Sequence, residues 1–155
     1  MNAFDVQLIV DEVPEGIVDE LIDIFEGTTG HDHTGSAFVN GFIEAPTFLD
    51  AVESLSRWLE ERGCVAQRVD LDLATRGDIA RRLGATRQAA ANWAAGRRGA
   101  GFPAPFNPVS GGVWLWGDVV AWAIEHGRLP HETPRPPQAE AVTLANSFLL
   151  RQSVG

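Results

Sequence analysis

The segment TRGDIARRLGATRQAAANWAAG, residues 75–96, decides how this chain is read. Thr75 carries the short hydroxyl side chain that caps a helix start, and Ile79 and Leu83 follow four residues apart on one helical face. Ala80 supplies the small side chain that lets a second helix approach closely. Gly84 tolerates a left-handed backbone and so ends the first helix in a sharp turn. Thr86 caps the next helix, from which Ala90 and Trp93 point back onto Ile79 and Leu83, and Gly96 ends it. In this order these are the parts of a helix-turn-helix.

With those residues facing inward, Thr86, Arg87, Gln88, Ala91, Asn92 and Ala95 are left on the outer side of the second helix. In a major groove, arginine binds guanine bidentately, glutamine and asparagine bind adenine, and alanine contacts a thymine methyl. Thr86 and the helix N-terminus suit a phosphate. Arginines at 76, 81, 82, 87, 97 and 98 flank or occupy the unit, against the lone Asp78. That charge argues against an alanine-rich hairpin whose polar face is merely solvated. The spacing therefore predicts that helix 86–95 reads double-stranded DNA through Thr86, Arg87, Gln88, Ala91 and Asn92, with Arg76, Arg97 and Arg98 supporting it.

From Asp78 the sequence continues DIARRLGATRQAAANWAAGRRGAGFPAPFNPVSGGVWLWGDVVAWA. It resembles the winged helix-turn-helix of the MerR and AlpA/excisionase type, found in small bacterial regulators, over residues 75–124. The resemblance rests on the DIA..LG.TR start, the FPAP segment at 102–105 and the aromatic stretch leading into DVVAW at 118–122. It implies a transcriptional regulator in which the FPAP and VWLW segments pair as a hairpin wing beside the recognition helix, touching the DNA backbone or minor groove. Asn107, Pro108, Ser110, Gly111 and Gly112 make a turn-rich tip over 106–112, and Trp114 and Trp116 alternate with Leu115. The tip lacks Arg and Lys, so backbone contacts fall to Arg97 and Arg98. Asp118 is expected to cap a closing helix that buries Val119, Trp122 and Ala123, with Trp93, Trp114 and Trp116 as further core.

Towards the N-terminus, Phe4, Val6, Leu8 and Val10 alternate with polar residues as a half-buried strand does. Helical spacing over 14–26 follows, then a small polar connector at 28–35 and a strand at 37–43. Thr47 caps a helix marked by Phe48, Val52, Leu55 and Leu59, and 65–71 reads as a third strand. This order predicts a small sheet with two helices on one face, whose exposed edges invite a homodimer. Four prolines within 130–137 make an extended connector, and helical spacing returns at 139–151, too short to be stable unless it docks. The fold class is α+β: a small N-terminal sheet with two helices over 1–72, a winged helix-turn-helix over 73–129, and a connector with a C-terminal helix over 130–155.

The 155 residues suffice for two small domains, and 45% hydrophobic with 21% charged residues is a globular balance. No apolar run is long enough for a membrane span and no signal-like N-terminus is present, so a cytoplasmic location is expected. The net charge of −9 is segregated: residues 1–72 hold 16 acids and 3 arginines, whereas 73–129 hold 3 acids and 7 arginines. An acidic module thus precedes a basic one, with dimerisation, ligand sensing or binding of a protein partner as its candidate roles. The alternative function is an antitoxin-like or adaptor protein whose acidic N-terminal module binds a basic protein. His31, Asp32 and His33, with Glu26 or Cys64, lack the spacing of a metal site, and Cys64 alone forms no internal disulfide. No nucleophile, base and orienting group fall together and no phosphate loop is formed, so neither an enzyme nor a cofactor is expected.

Overall fold

The N-terminal strand β1 (Asn2–Val10) lies in the middle of its sheet because both of its backbone edges are paired. The computed structural model describes residues 2–32, 34–96 and 101–154. β1 is followed by α1 (Ile17–Phe25), β2 (Thr28–His31), β3 (Ala37–Ala45), α2 (Phe48–Glu60) and β4 (Ala66–Val69). All strand pairs are antiparallel and the order is β2-β3-β1-β4, the topology of two interleaved βαβ units. Val6, Leu8 and Val10 alternate onto the covered face, where Val39, Ile43 and Val69 join them beneath Ile17 and Leu21 of α1 and Val52, Leu55 and Leu59 of α2. Thr47 caps α2 through a 3.1 Å bond from the Asp50 N–H.

In this sheet and its helices, two elements depart from the sequence reading. The connector expected at 28–35 contains β2, paired with β3 from Thr28 opposite Asn40 to His31 opposite Ala37. It is a short polar edge strand without apolar alternation, held by a turn in which Asp32 Oδ1 accepts from the N–H groups of Thr34 and Ser36. α1 begins at Ile17, after Gly16 at φ +88°, and not at Pro14.

The rest of the chain forms β5 (Leu73–Thr75), α3 (Arg76–Leu83), α4 (Arg87–Ala94), a single 3-10 turn (Val109–Gly111), β6 (Val113–Leu115), α5 (Trp116–Glu125) and α6 (Ala139–Val154). The chain divides into two compact units, one ending at Asp70 and regaining the chain from Glu140, the other Leu71–Ala139. α6 therefore belongs with the N-terminal sheet. Val142, Ala145 and Leu149 bury one side of it, and Asn146 Oδ1 accepts a 2.7 Å bond from the Val69 N–H. The neighbouring Asp70 N–H turns inward to Gln7, so Val69 presents its donor on the outer edge of the sheet, and α6 satisfies it.

In the second unit, β5 pairs with β6, placing Ala74 opposite Trp114. Ile79, Ala80, Ala90, Trp93, Trp114, Val119, Trp122 and Ala123 form its core. Trp93 and Trp122 lie 5.2 Å apart, Phe102 meets Trp122 edge-on at 4.8 Å, and the Arg128 guanidinium covers the Trp93 ring at 4.4 Å. The hairpin expected between FPAP and VWLW is reduced to one bridged pair, Asn107 and Val113, and β6 takes β5 as its partner. The prolines at 103 and 105 cannot donate to a ladder, and the segment is held by the Trp114 Nε1–H bond to the Pro103 carbonyl, 2.9 Å. Trp116 opens α5 and does not continue the strand. Asp118 is not the cap of α5: Leu115 precedes that helix without a side-chain bond, and Asp118 Oδ1 accepts from the Ala139 N–H at 3.1 Å.

Candidate nucleic-acid interface

The two short helices of the second unit are fixed at both ends by the residues that the spacing singled out. Thr75 Oγ1 accepts from the Asp78 N–H at 3.1 Å while Asp78 Oδ2 accepts from the Thr75 N–H at 3.0 Å, a reciprocal capping box. The bonds from the Thr75 backbone and hydroxyl, with a smaller contribution from Arg81, hold the Asp78 carboxyl below its ordinary value of 3.8. Gly84 ends α3 at φ +64°, where a side chain would be strained, and the Ala85 N–H returns to the Ala80 carbonyl at 2.8 Å. Thr86 Oγ1 then accepts from the Ala89 N–H at 3.0 Å and starts α4. Ala90 and Trp93 are buried against Ile79 and Ala80, as the spacing predicts.

The outer side of α4 carries Arg87 and Gln88, both exposed, and Ala91 and Asn92, both half-buried. Gln88 Nε2 donates to Asn92 Oδ1 at 3.1 Å. An open groove of about 460 Å³ runs beside this face, lined by Thr75, Arg76 and Gly77 at the start of α3, by Arg87, Gln88 and Ala91, and by Gly111 and Gly112. Five predicted contact residues thus divide into three that line the groove, one that holds a neighbour, and Thr86, exposed at the helix start. Arg76, the sixth, forms the opposite wall. Arg97 and Arg98 lie outside the described residues.

Counting arginines overstates the charge on offer. Arg81 pairs with Asp78 at 2.9 Å, and Arg82 pairs with Asp72 at 3.1 Å while stacking on Trp116. Arg76 and Arg87 have no ion pair among the described residues. The glycines escaped the sequence reading as groove residues, although the Gly-Gly step was visible. A Cβ on Gly111 would stand 3.0 Å from the Arg76 guanidinium, and one on Gly112 would stand 2.6 Å from the Trp114 ring, so the bare backbone gives both side chains their room.

Elsewhere, burial and the Asp11 charge push the Cys64 thiol up to about 11, which leaves it protonated and a poor ligand at neutral pH. His33 lies outside the described residues, and Asp32 spends one carboxylate oxygen on its turn. No helix among the described residues is long and apolar enough to cross a membrane. Comparison of the chain with protein-family models, curated proteins and solved structures finds no match in any of the three.

Proposed function

We propose that this chain is a sequence-specific DNA-binding transcriptional regulator that places α4 in the major groove. One observation carries this: Arg76 and Arg87, both without acidic partners among the described residues, face a single open groove beside capped helix starts, with Gln88 and Ala91 on its wall. Arg87, Gln88 and Ala91 serve the base edges, and Asn92 supports Gln88 on the same face. Thr86 and Arg76 serve the phosphates, together with Arg97 and Arg98. The resemblance to the winged MerR and AlpA/excisionase type supports the same assignment, with the loop closed by Asn107 and Val113 in the wing's place. Two copies acting as a homodimer in the cytoplasm would present two recognition helices to half-sites one helical turn apart, about 34 Å. The role requires neither catalysis nor a cofactor.

The deciding experiment is selection of duplexes from a random pool by the full chain, followed by gel-shift titration of the winners. A two-fold symmetric consensus is the expected result, and a pool without enrichment overturns the assignment. An adaptor that binds a basic protein is the second reading. It draws on α1, where exposed Val18 and Ile22 adjoin Asp19, Asp23 and Glu26. The same selection separates the two, since an adaptor enriches no duplex.

A further inference from the structure

On the outer face of α4, Gln88 and Asn92 form one linked unit, and they do not act as two independent readers. Their bond consumes one Gln88 amide proton and one acceptor site on Asn92 Oδ1. With the proton turned away from Oε1 given to Asn92, Oε1 and the second N–H stay side by side to face a ligand. An acceptor beside a donor in one plane is the complement of adenine's N6 amine and N7, and matches no other base edge in the major groove as a bidentate pair. Gln88 also lines the groove shared by Arg76 and Arg87, so its amide lies where a duplex bound to those arginines would pass.

Resting on the DNA-binding reading, we propose that Gln88 is the specificity-determining residue for one adenine in each half-site and that Asn92 is its positioning residue. Asn92 removes the rotational freedom that Gln88 would otherwise lose on binding, and it fixes which edge of the amide points outward. Its own amide group then need not reach a base. An exposed i,i+4 side-chain bond that only supports the helix would leave base preference untouched when broken, and this separates the two roles.

The test uses the full-length chain, a random duplex pool and the selected duplex with each base substituted in turn. Gln88→Ala should erase the preference at one position, and that position should be adenine in the wild-type consensus, favoured about 5- to 150-fold over the other bases. Asn92→Ala, which has no acceptor, and Asn92→Ser, whose hydroxyl lies one bond nearer the backbone than Oδ1, should lower that adenine preference about 2- to 12-fold while leaving the remaining positions unchanged. Asn92→Asp keeps the acceptor. It should weaken binding to all duplexes alike, through repulsion of phosphates, yet retain the adenine ratio. If the position lost in Gln88→Ala prefers another base, or if Asn92→Ala and Asn92→Ser keep the wild-type ratio, the proposal fails and the DNA-binding reading stands. If the wild-type chain enriches no sequence, both fail together.

Discussion

Arg76 and Arg87 belong to different helices and meet at one groove, whereas Arg81 and Arg82 are spent on Asp78 and Asp72. Four arginines that look alike in the sequence thus have two different fates, set by which acid the fold brings near. Exposed ion pairs of the second kind contribute little to stability, and they also withdraw charge from a polyanion. Arg87→Ala should therefore cost about 1 to 3 kcal/mol at the cognate duplex and relax preference at one base pair. Arg76→Ala should weaken cognate and random duplexes equally and reduce the slope of log affinity against log salt by about 1. Arg82→Ala is the control and should leave that slope unchanged. Fluorescence anisotropy titrations across a series of KCl concentrations measure all three, and a slope equally reduced in Arg82→Ala would contradict the partition of charge described for the groove.

Among the elements, those legible in the sequence are the ones whose ends are written in local chemistry. Thr75, Gly84 and Thr86 mark α3 and α4 because each bond they make is formed within a few residues, and Asp78 completes the cap of α3 from the same turn. β2 and β5 were not legible: one is a polar edge strand, the other is three residues long, and both exist through partners distant in the chain. The pairing expected between FPAP and VWLW departs for the same reason, since aromatic alternation in VWLW reports burial and not which strand lies alongside. At the site, the outward face of α4 was legible from helical periodicity, but the Gln88–Asn92 bond and the approach of Gly111 to Arg76 depend on tertiary placement. The capping box supplies a pH test of α3. Asp78 is depressed in the folded chain, so the stability it contributes is present above 3.8 and is lost as pH falls through its lower folded value. Thr75→Ala should cost about 1 kcal/mol near neutrality. In thermal melts monitored by circular dichroism, the gap between wild type and Asp78→Ala should be constant from neutrality down to pH 5 and close below 3.8. A gap that widens on acidification would reverse the assigned sign.

At the level of the whole molecule, the second unit is inserted into the first, because the chain leaves the sheet after β4 and returns to it as α6. The insertion is bounded neatly: the Asp72 carbonyl accepts from the Trp116 N–H at 2.8 Å and Asp118 accepts from the Ala139 N–H, so both ends of the unit are tied to the first turn of α5. Close termini are what lets one domain be inserted into another while each keeps its own core. The same boundary separates charge, with 16 acids and 4 arginines in the sheet unit and 5 acids and 8 arginines in the insertion. Repulsion between the acidic unit and a duplex should be felt at low salt and fade once the screening length shrinks to about 10 Å near 0.1 M. Residues 71–139 expressed alone should therefore melt cooperatively and bind a random duplex more tightly than the full chain in 10 mM KCl, with the difference vanishing towards 0.3 M. The complementary fragment 1–70, deprived of α6, should lose the partner of the Val69 N–H and expose the β4 edge, and size-exclusion chromatography should find it associated or unfolded. A monomeric, cooperatively folded 1–70 would show that α6 is dispensable to the sheet, and equal affinities of 71–139 and the full chain at low salt would show that the acidic unit does not oppose DNA.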